Sequence, residues 1–388
     1  MIQWFWNHLP RPILGLAPMD GVTNAPFRAI TARYGRPDVI FTEFVPIDGL
    51  MHRATRLLTD LVYAESERPV VAQIYGNDPG GCYAIAHLVC ELGFDGLDIN
   101  MGCPARNVAS RGAGAGLIRT PQIAQAMIRA AQRGITDWSH GQTLLQAGVP
   151  TAIVEAAATI FRQRPERRCD RREPIPVSVK TRLGYDTAVV RDWIATLLEA
   201  APVVISLHGR TLTQMYRGEA DWDAIAMAAE IVHQTSTLVL GNGDLGEASI
   251  MEQRLRETNV DGLLVGRAAI GNPWIFRMAP WLRRRMAGDA TAAAVPPPDA
   301  RSPDEALAVF VEHAEAIEAA VHPKAFTQLF RFVKPYTQGL PNANVLRTEC
   351  YQIRSAAELK RLVRRCQRHH DAACTVSSRV VCQGRLEK

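Results

Sequence analysis

The stretch PVVAQIYGNDPGGCYAIAHLVCELGFDGLDINMG, residues 69–102, decides the fold. It begins and ends with apolar runs, PVVAQIYG (69–76) and DGLDINM (95–101). Between them Asp78-Pro79 has the form of a helix cap followed by a first-turn proline, and Gly93 closes the helical run. Continuous rather than alternating apolarity suits a strand covered on both faces. The stretch therefore reads as a strand, a crossover helix and a second strand parallel to the first.

The same kind of run recurs on both sides. ILGLAP (13–18) and DVIFTEF (38–44) precede it, and PVSVKTR (176–182), VVISLHGR (203–210), TLVLGNGD (237–244) and DGLLVGR (261–267) follow, which makes eight. Eight strand-then-helix units in succession predict a (β/α)8 TIM barrel rather than a doubly wound sheet. Thr120-Pro121 opens a further helix predicted to stop at Gly134. The segment 134–174 is long for one crossover, and TAIVEAAATIFRQR (151–164) reads as an added helix outside the barrel.

After Met286 the run GDATAAAVPPPDARSPDE has no periodicity and marks a boundary. Beyond it the pattern is helical only. Ser302-Pro-Asp-Glu305 and Ser355-Ala-Ala-Glu358 have the form of capping boxes. Leu307, Phe310, Ala314, Ile317 and Val321 follow the first at spacings of three and four; Leu359, Leu362, Val363 and Cys366 follow the second. The expected organisation is a barrel over 1–286 with an insertion near 134–174, a linker over 287–302, a helical domain over 303–370 and a flexible tail over 371–388.

At 388 residues and 47% apolar composition the chain can bury a large core. It has no apolar run long enough for a membrane span, and MIQWFWNHLPRP at the N-terminus lacks the pattern of a secretory signal. A cytoplasmic protein without membrane attachment is expected. The eight cysteines are irregularly spaced and read as free thiols. Cys366, His369, His370, Cys374 and Cys382 match no standard zinc spacing, so a basic helix end and tail is the preferred reading and no metal is expected. Charge is unevenly placed: between His322 and His370 there are 10 basic residues against 2 acidic. That surface is either a solvated helical face or a site for a polyanion such as nucleic acid.

Chemistry in such a barrel gathers at the C-terminal ends of the strands. Those ends hold Pro18-Met19-Asp20, Glu43, Gln73, Asn100 with Cys103, Lys180 with Arg182, His208 with Arg210, Asn242-Gly243-Asp244 and Gly266-Arg267. Any one of these has a structural explanation, but so many converging polar groups mark a site. The last two ends would place backbone N–H groups, a helix N-terminus and a guanidinium around one anion. That predicts a phosphate, on a flavin mononucleotide or on a phosphorylated substrate.

The stretches LAPMDGVTNAPFR (16–28), DINMGCPA (98–105), VSVKTRLG (177–184), HGRT (208–211), YRGEADWDAI (216–225), NGD (242–244) and DGLLVGRAAIGNPWIF (261–276) closely resemble the tRNA-dihydrouridine synthases, in register over about 16–280. The basic helical tail resembles that family's RNA-binding domain more loosely. DINMGCPA and GNPWIF look most like the bacterial branch first named as a nitrogen-regulation protein.

The resemblance implies an FMN barrel that reduces the C5=C6 bond of a uridine in the D-loop of tRNA, with NADPH, or NADH, as reductant. It puts Pro18, Met19 and Asp20 along the isoalloxazine, Gln73 and Lys180 at its polar edge, and His208 beside it. Asn242, Gly243, Asp244, Gly266 and Arg267 would hold the phosphate, Asn100 and Arg182 would contact the uracil, and Cys103 would donate the proton to C5. An acid must stay protonated, so no strongly depressed pKa is expected at Cys103. Gly102 is expected to let the turn tighten and Pro104 to stiffen it. Tyr216 and Arg217 would meet the RNA near the site, and Lys324, Arg331, Lys334, Arg347, Arg354 and Arg361 would meet it elsewhere. The partner expected is tRNA, with the protein itself a monomer without an obligate protein partner. The competing readings are a flavin oxidoreductase for a free pyrimidine and a non-catalytic RNA-binding regulator.

Overall fold

The computed structural model describes residues 4–161, 172–293, 295, 297–298, 301–320, 323–340 and 342–367. Eight strands run through the described residues: β1 Ile13–Leu16, β2 Ile40–Pro46, β3 Val70–Tyr75, β4 Gly96–Met101, β5 Val177–Arg182, β6 Val204–His208, β7 Leu238–Asn242 and β8 Gly262–Val265. Each pairs in parallel with its neighbours in chain order, and β1 closes on β8. The TIM barrel read from the apolar runs is the fold, with every strand inside its expected run or within two residues of it. Their near-continuous burial explains why they carry no alternation.

Helix starts follow the caps. Asp78 accepts hydrogen bonds from the N–H groups of Gly80 and Gly81 and opens the helix Pro79–Glu91. Asn24 and Asp221 cap Ala25–Tyr34 and Trp222–Val232 in the same manner. Trp6, 1% exposed, packs with Ile13, Phe41, Val71 and Leu264 in the barrel's core.

One helix end departs from expectation. Pro121–Ser139 runs past Gly134, which does not stop it. A Cβ on Gly134 would lie 2.5 Å from the carbonyl oxygen of Tyr83 and 3.1 Å from Ala86 Cβ. The glycine thus permits close packing against Pro79–Glu91, and the helix continues because tertiary contact outweighs propensity. The expected helix over 151–164 is present as Thr151–Phe161; the rest of that run lies outside the described residues.

The chain divides into two compact units, Met1–Ala268 with Phe276–Pro298, and Ala269–Ile275 with Asp299–Lys388. The expected domains gave 269–275 to the barrel, whereas here the stretch packs in the helical unit. A Cβ on Gly271 would lie 2.5 Å from Pro335 Cβ, and the indole N–H of Trp274 donates to Glu305 Oε1 at 2.8 Å. The expected linker is also partly ordered: Trp281 Nε1 donates to the carbonyls of Ala292 and Val295.

In the helical unit Pro303–Ala319, Phe330–Tyr336, Ala343–Cys350 and a helix over 356–367 bury Leu307, Phe310, Ala314, Ile317, Phe332 and Leu359. Ser302 Oγ accepts from Glu305 N–H as a cap, and Ser355 Oγ does so from Glu358 N–H. Glu358 reaches back to the N–H of Arg354, one residue before the expected box position. Among the described residues no helix is long and apolar enough to cross a membrane, no acidic, histidine or cysteine group could hold a metal, and Cys82, Cys90, Cys103, Cys350 and Cys366 are free. Val321, His369, His370, Cys374, Cys382 and the tail from 371 lie outside the described residues.

Candidate active site at the strand ends

The turn after β4 is built by Asn100. Its Oδ1 accepts the N–H groups of Gly102 at 3.0 Å and Cys103 at 2.8 Å, which bends the chain and brings the cysteine back over the strand end. Gly102 was expected to supply the conformational freedom here. It has no positive φ, and a Cβ on it would meet only ordinary contacts at 3.4 Å. The glycine this turn requires is Gly114, missed in the sequence. Its φ is +56°, and a Cβ there would stand 3.1 Å from both the Cβ and the carbonyl oxygen of Cys103. The run GAGAG at 112–116 was the available signal, since it fits no helix or strand.

Cys103 is 7% exposed, among Val108, Ala113, Phe44 and Tyr75. Burial pushes its thiol pKa up, while the Ala105 N–H and the Arg182 guanidinium pull the other way. It is therefore an acid at neutral pH. Arg182, 3% exposed and itself pushed down to about 10 by burial, donates through Nε to the Gly102 carbonyl at 2.7 Å and through Nη1 to the carbonyls of Thr211 and Met215. It ties the cysteine turn to the loop after β6.

Below Asn100 lies a chain of buried hydrogen bonds. Asn100 Nδ2 donates to Gln73 Oε1 at 2.9 Å, and Gln73 Nε2 donates to Asp98 Oδ2 at 2.7 Å. Ser178 Oγ donates to Asp98 Oδ1 at 2.6 Å. Lys180, two residues before the end of β5, donates to Asn242 Oδ1 at 3.0 Å, and burial pushes it down to about 8. His208 is pushed far below the usual histidine range by burial and by the cations Lys180, Arg182, Arg210 and Arg267, so its ring is neutral.

At the ends of β7 and β8 the expected phosphate residues are brought together, with one difference. The Asp244 carboxylate accepts Arg210 Nη2 at 2.6 Å, Arg267 Nη2 at 3.0 Å and the Ala220 N–H at 2.9 Å. A carboxylate so engaged repels an anion, and Asp244 can serve a phosphate only through its backbone. Its φ of +54° and the φ of +133° at Gly243 turn that backbone sharply. A Cβ on Gly243 would strike Ala220 Cβ at 2.6 Å, so only glycine fits there. The Arg267 side chain is 58% exposed and stands 5.2 Å over the Tyr216 ring. Arg210, 2% exposed, also holds the carbonyls of Gly218 and Arg217 and so shapes the loop carrying Tyr216.

At the end of β1, Met19 N–H donates to Thr23 Oγ1, and Met19 Sδ lies 3.5 Å from where Gly266 would carry a Cβ. Pro18 is half-buried and Asp20 exposed. Glu43, 8% exposed, sits where the register of β2 slips between Phe41 and Phe44. It accepts the N–H of Gly21 and is pushed up to about 7, by burial first and then by Asp60. Tyr216, 58% exposed, and Arg217 lie on the loop after β6. In the helical unit Arg331, Lys334, Arg354 and Arg361 are exposed. Arg347 instead donates to Thr337 and Asn344, and the Lys324 side chain lies outside the described residues. A cleft of about 640 Å³ in that unit is lined by Arg361, Arg364 and Arg365 together with Glu349 and Glu358.

The donor set suits a flavin nucleotide: a buried ammonium, amides of fixed orientation, and a glycine cradle with an exposed guanidinium for a phosphate. The family model described as dihydrouridine synthase matches residues 15–137 and 168–373, leaving out most of the insertion. The chain is 31% identical to the probable tRNA-dihydrouridine synthase 2 of Bacillus subtilis, over 94% of this chain and 96% of that one. It is 30% identical to the probable tRNA-dihydrouridine synthase of Staphylococcus epidermidis, over 97% of this chain and 100% of the other. The likeness to the solved structure of DHODH from Eimeria tenella is looser, with TM-score 0.42 and 13% identity over 71% of this chain and 82% of that one.

Proposed function

The chain belongs to the dihydrouridine synthase family, and from that premise we propose that it reduces the C5=C6 bond of a D-loop uridine in tRNA with FMN as cofactor, NADPH as reductant and Cys103 as the acid. When bound, FMN supplies the hydride that reaches C6 of the uracil. Pro18, Met19 and Asp20 would line its ring, with Gln73, Lys180 and His208 at the polar edge. The backbones of Asn242, Gly243, Asp244 and Gly266 and the guanidinium of Arg267 would hold its phosphate.

Addition at C6 leaves an electron pair on C5 and O4. The S–H bond of Cys103 breaks, a C–H bond forms at C5, and the thiolate takes a proton back from solvent. The observation that carries this role is a thiol held neutral by burial at the end of β4, with the Ala105 N–H and Arg182 ready to stabilise the thiolate. Asn100 and Arg182 would meet the uracil. A uridine splayed from its loop costs a few kcal/mol in lost stacking. Tyr216 and Arg217 at the barrel, and Lys324, Arg331, Lys334 and Arg354 on the proposed tRNA-binding helical domain, offset that cost.

The test is Cys103→Ala. The variant should stay yellow and still take hydride from NADPH, yet lose most reduction of tRNA lacking dihydrouridine. In the parent protein, reduction should persist through the pH range in which an ordinary thiol ionises and fall only above it, since burial raises the thiol pKa and keeps the acid form. Full activity in Cys103→Ala refutes the acid role, and equal activity on free uracil refutes tRNA as the substrate.

A further inference from the structure

The polarity of Asn100 is fixed from both ends of a hydrogen-bond chain. The N–H groups of Gly102 and Cys103 can be met only by an oxygen, so Asn100 Oδ1 faces them and Nδ2 faces Gln73. Gln73 must then turn Oε1 toward Asn100 and Nε2 away from it. The group waiting there is the Asp98 carboxylate, an acceptor, and its other oxygen is occupied by Ser178. Asp98 and Gln73 are fully buried and Ser178 is 1% exposed, so water cannot substitute for any member. Three of the four hydrogen-bonding positions of Asn100 are used, and one N–H remains for a ligand. Gln73 keeps one lone pair and one N–H.

Resting on the function proposed above, we propose that Asp98 is a positioning residue for the reaction, bracing Gln73 at the flavin's polar edge and, through it, Asn100 and the Cys103 turn. Asp98 lies two residues before Asn100 on one strand, so both project to the same face, and it reaches Gln73 on the neighbouring strand. The single N–H left on Asn100 is thereby aimed, and with it a donor for a carbonyl oxygen of the base. Removing Asp98 leaves Gln73 Nε2 buried without an acceptor, and the amide must turn to find one.

The experiment compares Asp98→Ala and Asp98→Asn with the parent protein, each as the flavin-loaded full chain. Asparagine keeps an oxygen for Gln73 and can donate its own N–H to Ser178 Oγ; alanine removes the acceptor. Asp98→Ala should shift the visible flavin absorption and lower kcat for uridine reduction about a hundredfold, a far larger loss than in the rate of flavin reduction by NADPH or in KM for tRNA. Asp98→Asn should restore both the spectrum and kcat. Should Asp98→Ala fail to fold, Ser178→Ala releases one carboxylate oxygen with little loss of volume and loosens the carboxylate that holds Gln73, and should shift the spectrum in the same direction by less, with a smaller drop in kcat.

An Asp98→Ala protein with parental spectrum and kcat overturns the proposal, as does an unchanged Ser178→Ala. An Asp98→Asn protein as slow as Asp98→Ala also overturns it, because charge rather than the acceptor would then matter. A parent protein that reduces no tRNA uridine sinks the functional reading and this proposal together. An active parent matched by Asp98→Ala sinks this proposal alone.

Discussion

Glu43→Gln should stabilise the protein at pH 8 and leave it nearly unchanged at pH 4.5. The Glu43 carboxyl is pushed from 4.5 to about 7 by burial, aggravated by Asp60 and only partly relieved by Arg28 and the Gly21 N–H. The sign follows from proton binding. Between these values the folded protein holds the Glu43 proton and the unfolded chain has lost it, so stability falls as pH rises through the window. At about 1.4 kcal/mol per pH unit, the penalty grows to roughly 3 kcal/mol by pH 7 and stays constant above it. Glutamine cannot titrate, so it escapes the penalty while its amide oxygen keeps the Gly21 hydrogen bond. For a unit of this size the gain corresponds to a rise in Tm of roughly 5 °C at pH 8. Thermal unfolding followed by circular dichroism at both pH values measures the effect, and titrating groups that do not interact with Glu43 cancel in the mutant-minus-parent difference. An equal Tm difference at pH 4.5 and pH 8 would refute the reasoning, since a contribution independent of pH cannot come from ionising Glu43.

Gly114→Ala forces a left-handed φ on a residue with a Cβ and pushes that atom against Cys103. It should destabilise the barrel by roughly 1–2 kcal/mol and cut uridine reduction while flavin content persists; full activity in a folded variant would show that the cysteine turn tolerates displacement. Replacing Arg331, Lys334 and Arg354 together by alanine should weaken tRNA binding and lower its log–log salt slope by roughly 2 to 3, with NADPH oxidation by oxygen unaffected. An unchanged slope would place the RNA on other residues.

By itself, the sequence determined the barrel, its strands, most helix starts and the set of polar residues at the strand ends. Period, caps and glycine or proline punctuation are local properties, and a strand end is located once the strand is known. Residues 69–102 show this in one unit. What the tertiary structure alone decided is how those polar groups are spent. Gly134 looked like a stop because propensity is local, but the backbone of Tyr83 makes it a packing contact. Gly102 and Gly114 could not be told apart as the glycine under Cys103, since Gly114 reaches the cysteine from eleven positions away. Asp244 sits in the stretch expected to hold a phosphate, yet its carboxylate belongs to Arg210 and Arg267, which arrive from two other strand ends. Asp98 had the appearance of an ordinary strand residue. Only the pairing of β4 with β3 and β5 brings Gln73 and Ser178 to its two oxygens, and hydrogen-bond direction across strands is set by neighbours far away in the chain.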